Sequence, residues 1–135
     1  MNSASKNTVN MGQDIVADGL NQIMNIRRVE KREVLIRRYS KVLLNLFEMM
    51  KERGHIDYVV NEEEKTVTVT IKKINLCRAV KPRYNVDVAG IDRYLRRFLP
   101  SRKFGTLVIS TNKGLMDSKE SVKQNLGGSI IAYFY

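Results

Sequence analysis

The chain has one cysteine, one histidine and no tryptophan among its 135 residues. A lone Cys77 excludes an internal disulfide, and with a single histidine none of the recurrent zinc-ligand spacings exists. A nucleophilic pair of Cys77 and His55 is compatible with the sequence, but lone cysteines are more often buried small hydrophobes. An enzyme is therefore the least favoured class, and no cofactor, metal or small-molecule substrate is expected.

Long apolar runs are also absent. No run approaches the roughly 20 residues that a membrane helix needs, and no basic segment followed by an apolar one opens the chain. Neither a membrane partner nor a secretory signal is expected, and the expected location is the cytoplasm. Apolar residues still make up 43% of the chain, which is enough for the core of one compact unit or two small sub-domains.

Negative charge is scarce, since the sequence has 24 Lys and Arg but 14 Asp and Glu, for a net charge of +10. This excess favours a polyanionic partner, with an anionic membrane surface as the competing interpretation. The basic residues concentrate in two segments, Arg27 to Lys41 and Lys72 to Lys103. The second segment contains ten basic and two acidic residues. The two concentrations lie in different halves of the chain, so the sequence does not decide whether they form one surface.

The first half of the chain predicts an α-β-α-β-β unit. Residues 1–12 are rich in Ser and Asn and lack apolar periodicity, which is typical of a disordered extension. Asp14 is placed to cap a first helix, and Ser40 begins a second helix that Gly54 ends. Three strands complete the unit, at 34–36, 56–60 and 65–74. The last two form a hairpin, and in the third Val67, Val69 and Ile71 alternate with threonines.

The second half predicts a mostly β unit with a short helix. A strand at 107–109 leads into the cluster 110–114, whose Asn and Gly residues indicate a turn. Asp117 and Glu120 have the spacing of a capping box, in which each side chain accepts from the other's backbone N–H, and the helix that they start ends before Gly127. Further elements are an edge strand or junction at Pro82, a helix at 91–98 and a final strand at 130–135.

The predicted class is thus α+β, with two small α/β sub-domains. We expect an N-terminal sub-domain at residues 13–76 and a β-rich C-terminal sub-domain at 77–135. In the cluster 110–114, hydroxyl and amide groups suit phosphate and sugar oxygens, Lys113 supplies charge, and nearby glycines let a second backbone approach closely. Turns that bind no ligand contain the same residue types, so this stretch alone favours a binding loop and an ordinary turn equally.

Six segments carry a resemblance to one family. They are DIVADGLNQIMN from Asp14, SKVLLNLFEMMKERGHI from Ser40, INLCRAVKPRYNV from Ile74, LPSRKFG from Leu99, STNKGLMD from Ser110 and the final GGSIIAYFY. Together they resemble the universal small-subunit ribosomal protein eight family, of the eukaryotic and archaeal type, whose eukaryotic members are also called protein fifteen-a. The chain departs from the family's motifs in having Arg78 where Gly is usual and His55 where Tyr is usual.

The resemblance implies a structural constituent of the small ribosomal subunit that binds the central domain of small-subunit ribosomal RNA at an irregular hairpin stem. It also implies that the C-terminal sub-domain at 77–135 is the RNA-binding one. It implies roles in subunit assembly and translation, with neighbouring small-subunit ribosomal proteins as further partners. A free-standing duplex-RNA binding module or a translational repressor is the alternative. With the basic flanks included, the predicted RNA-binding residues are Asn25, Ser40, Lys41, Arg83, Tyr84, Arg102, Lys103, Ser110, Thr111, Asn112, Lys113, Gly114, Gly127 and Gly128.

Overall fold

Two antiparallel sheets, each packed against helices, form the fold seen in a computed structural model. The structure describes residues 14–101 and 103–135, so the predicted extension at 1–12 and the predicted RNA-binding residue Arg102 lie outside the described residues. The elements are α1 Ile15–Arg28, β1 Glu33–Ile36, α2 Lys41–Glu52, β2 Ile56–Asn61, β3 Thr66–Ile71, β4 Cys77–Val86, α3 Ile91–Phe98, β5 Thr106–Thr111, β6 Gly114–Asp117, α4 Ser118–Lys123 and β7 Gly128–Phe134.

The first sheet has the strand order β1-β3-β2 and contacts α1 and α2. In β3, Val67 and Val69 are fully buried while Thr68 and Thr70 are partly exposed, because successive side chains of a strand point to opposite faces. The Asn61 side chain closes the β2–β3 turn by accepting from the backbone N–H of residues 63 and 64 at 3.1 and 3.2 Å. The predicted hairpin is confirmed.

The two long helices differ in how they begin. Ser40 Oγ accepts from the backbone N–H of Leu43 at 3.2 Å, so Ser40 is the N-cap of α2, as predicted. Gly54 follows α2 with φ at +79°, a conformation that glycine adopts without strain. Asp14 precedes α1 but does not cap it. The prediction for Asp14 is wrong because its carboxylate forms an ion pair with Lys81 of β4.

The second sheet has the order β4-β7-β5-β6, with β4 at an edge as Pro82 indicated. Strand β6 was not predicted, because four residues between a turn and a helix are too short to show the two-residue period of a strand. Asp117 accepts from the Glu120 backbone N–H at 2.8 Å, which confirms half of the capping box. The Glu120 carboxylate instead accepts from Gln124 Nε2 at 2.5 Å.

Apolar side chains form two cores. The smaller core lies between the second sheet and α3, and the larger one lies between the first sheet, α1 and α2. The larger core also contains side chains from β5 and β7, among them Val108, Ile131 and Phe134. The α+β class with two sub-domains is confirmed, whereas the division between residues 76 and 77 stays a prediction.

Candidate nucleic-acid interface

One end of the second sheet contains the predicted residues Ser110 to Lys113. Here β4 and β5 end while β6 and β7 begin, and the strand register pairs Asn85 with Ser129 and Ser129 with Ser110. We call these three residues the polar row. Ser129 Oγ donates to Asn85 Oδ1 at 2.8 Å, which leaves the Asn85 amide group as a donor for a ligand. Neighbouring strands are about 4.8 Å apart, so the row presents polar side chains over roughly 10 Å.

The turn between β5 and β6 stands beside the polar row. Thr111 Oγ1 donates to the Gly114 carbonyl oxygen at 2.9 Å and accepts from the Lys113 backbone N–H at 3.1 Å. The Thr111 hydroxyl, predicted to contact RNA, therefore shapes the turn. Asn112 and Lys113 are exposed at its tip, so the Asn112 amide and the Lys113 ammonium are the groups of this turn that are available to a phosphate.

Gly127 and Gly128 lie where three strands come close together. A Cβ on Gly128 would lie 2.1 Å from the Ser110 carbonyl oxygen, and one on Gly127 would lie 2.6 Å from the Val86 carbonyl oxygen. Both distances are below any real Cβ contact, so the sheet itself requires glycine at these positions. Their predicted role in the approach of RNA stays a prediction.

A cavity of about 570 Å³ separates the polar row from α3. Asn85 and Ser129 line it on the sheet side, and Arg93 and Tyr94 line it on the helix side. The RNA-binding residues predicted from the sequence do not include Asn85, Ser129 or Arg93. The sequence offers one indication of Ser129, because this residue directly follows the double glycine. Its pairing with Asn85 depends on strand register and is not visible in the sequence.

Tyr84 is held inside a stack of aromatic rings. Its ring lies 5.3 Å from that of Tyr94, between ring centroids, and the Arg97 guanidinium lies 5.3 Å from the Tyr84 centroid. Arg97 Nη2 also donates to the Tyr84 hydroxyl at 3.4 Å. These contacts pack the Tyr84 ring against α3, and its predicted contact with RNA stays a prediction. The neighbouring predicted residue, Arg83, is exposed.

A basic groove runs between α1 and β4. Its cavity of about 240 Å³ is lined by Asn25, Arg28, Arg78 and Lys81, and Arg28 Nη1 lies 3.5 Å from Asn25 Oδ1. Lys81 is paired with Asp14, whereas no carboxylate of the described residues forms an ion pair with Arg28 or Arg78. The predicted residue Asn25 is thus placed among cations, and the departure from the family motif at Arg78 adds one of them.

The other predicted residues lie elsewhere. Ser40 and the exposed Lys41 are at the start of α2, where the Ser40 hydroxyl caps the helix. Lys103 lines a cavity that also contains Thr106, the first residue of β5. It is therefore at the opposite end of β5 from Ser110, and the structure does not bring it to the β5–β6 turn.

Comparison with known proteins identifies the family. A family model described as ribosomal protein S8 matches residues 14–135. The chain belongs to the ribosomal protein S8 family. It is 35% identical over 127 residues to small ribosomal subunit protein uS8A of Schizosaccharomyces pombe, covering 91% of this chain and 98% of the relative. It is 32% identical over 125 residues to uS8A of Saccharomyces cerevisiae, covering 90% and 96%. The predicted family and its eukaryotic type are confirmed.

Membership of the ribosomal protein S8 family also confirms that the chain is not an enzyme. Cys77 is fully buried, its thiol donates to the Leu20 carbonyl oxygen at 3.6 Å, and burial raises the pKa of the thiol to about 12. His55 Nδ1 donates to the Lys73 carbonyl oxygen at 2.7 Å. The two side chains have separate partners, and a thiol with this pKa is protonated at neutral pH, so they do not form a nucleophilic pair.

No helix within 14–101 and 103–135 is long and apolar enough to cross a membrane. In the same ranges, His, Cys, Asp and Glu side chains form no group of three that could hold a metal ion.

The buried thiol predicts a loss of stability at alkaline pH. The unfolded chain releases the Cys77 proton near pH 9 and the folded chain near pH 12. Above pH 9 the unfolded state therefore binds fewer protons, and the free energy of unfolding falls as pH rises, by up to about 1.4 kcal/mol per pH unit from this group. Urea unfolding at pH 8.5 and 10 measures the fall. Cys77→Ala should remove part of the fall, and an identical pH dependence in both proteins would contradict the prediction.

Proposed function

We propose that the chain is a structural constituent of the small ribosomal subunit that binds the central domain of small-subunit ribosomal RNA at an irregular hairpin stem. Its location would be the cytoplasmic ribosome, with neighbouring small-subunit proteins as partners. The family and the names of the relatives support the first part. The observation that carries the RNA-binding part is the polar row beside the exposed Lys113, in a chain of net charge +10.

The polar row suits a ligand that offers hydroxyl and oxygen atoms along a shallow surface. The minor groove of an RNA helix is wide and displays 2′-hydroxyls and base edges, and irregular pairs widen access further. Asn85 and Ser110 would donate to these atoms, while Lys113 and Arg83 would contact phosphates on either side. Such contacts read the shape of the stem, because few of them reach a base edge that identifies one nucleotide.

The basic groove gives the complex a second line of phosphate contacts. Arg28 and Arg78 are cations without an ion-pair partner among the described residues, and Asn25 of α1 lines the same groove. Each phosphate that a cation neutralises on a duplex contributes about 0.9 to the slope of log affinity against log salt concentration. The groove would thus strengthen binding to any RNA, and the polar row would provide the preference for an irregular stem.

The test is binding of a hairpin from the central domain of the source organism's small-subunit RNA and of a regular duplex of equal length, across a salt series. We expect the hairpin to bind more tightly at every salt concentration. Ser110→Ala should reduce that preference about fivefold, the effect of one hydrogen bond of about 1 kcal/mol. Lys113→Gln should lower the salt slope by about 0.9 for both RNAs.

Lys123→Gln is the matched control for Lys113→Gln. Lys123 is exposed in the last turn of α4 and lies outside the polar row and the basic groove. Its substitution removes the same charge and should leave the slope nearly unchanged. Equal affinity for the two RNAs, with equal effects of both lysine substitutions, would contradict the proposed site and support a general duplex-RNA binding module.

A further inference from the structure

A second basic surface lies at the other end of the molecule's second sheet. One cavity, of about 340 Å³, is lined by five cations, Arg27, Lys31, Arg32, Lys72 and Lys73. An adjoining cavity, of about 370 Å³, shares Lys73 and Asn75 with the first and adds Arg53, Lys103 and Lys119. We call these two adjoining cavities the Lys73 surface. It unites the two basic concentrations of the sequence, which the chain order alone could not connect.

The Lys73 surface carries charge that the protein does not neutralise. Of its eight Lys and Arg side chains, only Arg53 forms an ion pair with a carboxylate of the described residues, and that carboxylate is Asp117. Among the described residues that line the two cavities, Glu30 has the one acidic side chain. Clustered like charges repel one another in the folded state, and a bound polyanion relieves that repulsion.

The Lys73 surface is separate from the polar row. Thr106, at the start of β5, lines its second cavity, whereas Ser110, in the polar row, lies four residues further along the same strand. At about 3.3 Å per residue the two are roughly 13 Å apart along β5. One short RNA contact at the polar row does not reach the far side of the Lys73 surface.

An exposed aromatic side chain indicates which polyanion fits. Phe104 is 50% exposed, lines the second cavity and packs against Tyr135 with ring centroids 5.8 Å apart. An aromatic face among cations is the arrangement on which unpaired bases stack while lysines track the phosphates. An acidic protein segment would use the cations and have no need of the ring.

We propose that the Lys73 surface binds a second, unpaired RNA segment, which would let one molecule hold two RNA elements together. The Lys73 and Lys119 ammonium groups would contact phosphates, and the Phe104 ring would stack on a base. Occupation of the polar row and of the Lys73 surface would be simultaneous, because they lie at opposite ends of β5. The inference concerns a different surface from the proposed hairpin site and does not require that site.

The test is the binding of a fluorescent 12-nucleotide uridine RNA, with and without saturating unlabelled hairpin. We expect uridine RNA to bind in both cases. Lys73→Gln combined with Lys119→Gln should weaken it at least tenfold and lower the salt slope by about 1.4, since each single-strand phosphate contributes about 0.7. Phe104→Ala should weaken it about fivefold or more without changing the slope.

Lys65→Gln combined with Lys123→Gln is the control, because both lysines are exposed and neither lines a cavity of the Lys73 surface. It should change affinity less than twofold. An equal loss in this control, or displacement of the uridine RNA by saturating hairpin, would overturn the proposal. So would an unchanged affinity in Phe104→Ala together with tighter binding of a polyglutamate peptide of equal charge, which would assign the surface to an acidic protein. Failure of the hairpin to bind would overturn only the proposed function, since the arm without hairpin still tests the Lys73 surface.

Discussion

Replacing Gly128 by alanine is expected to lower the free energy of unfolding by about 3 kcal/mol, the upper part of the usual range for forcing atoms into a packed site. The new Cβ would lie 2.1 Å from the Ser110 carbonyl oxygen and 3.2 Å from Ile109 Cγ2. The oxygen belongs to the backbone of β5, so no side-chain rotation relieves the clash. Strands β5 and β7 must separate at the polar row.

Gly114→Ala is the matched control, because it adds the same methyl group at the other side of the same sheet end. Gly114 has φ at +107°, and no atom lies within 4 Å of the position that the added methyl group would take, so its substitution tests backbone strain without a clash. We expect a cost of about 1 to 2 kcal/mol. Urea unfolding of both variants measures the difference, and equal costs would show that the close approach at Gly128 is not what requires glycine there.

Gly128→Ala also separates two explanations of the double glycine. If the glycines are needed only for the packing of the sheet, the variant should lose stability. Its hairpin affinity should then fall only because the polar row is displaced. If RNA itself approaches Gly128, affinity should fall while stability is unchanged. The 2.1 Å distance to Ser110 favours the first outcome, in which the family's glycines position Ser110 and Ser129.

Local signals in the sequence predicted the elements that are fixed by neighbouring residues. Ser40 and Gly54 gave both ends of α2 because a cap and a left-handed residue act within one turn of the helix. The alternation of Val and Thr gave β3 because the sheet has one face toward the core. Asp14 shows the limit of such signals, since a carboxylate at a helix start can instead form an ion pair with a cation that is distant in the sequence, here Lys81.

The surfaces depend on contacts that no local signal reports. The polar row needs the register of three strands that are far apart in the chain. The Lys73 surface needs the end of α1, the segment after β3 and the segment before β5 to meet. Lys103 shows the consequence, because it is predicted as an RNA-binding residue together with Ser110 and the fold places it at the other end of β5. The charge excess was readable from composition, but its division into two surfaces was not.

Replacing Phe134 by alanine is expected to lower the free energy of unfolding by about 3 to 5 kcal/mol, as for other fully buried phenylalanines. Phe134 is 1% exposed and belongs to the larger core, although it lies on β7 of the second sheet. Its ring packs edge-on against His55, with centroids 5.3 Å apart. Phe104→Ala is the control, because that ring is half exposed and its loss should cost about 1 kcal/mol or less.

The Phe134 variant also tests how the two sub-domains are coupled. We propose that the division between residues 76 and 77 separates the two sheets in the chain but not in folding, because Val108, Ile131 and Phe134 complete the core beneath α1 and α2. Hydrogen exchange should then show the same loss of protection in α2 as in β5, since both open only when the whole chain unfolds. A loss confined to β5 and β7 would mean that the first sub-domain keeps its core without them and folds as an independent unit.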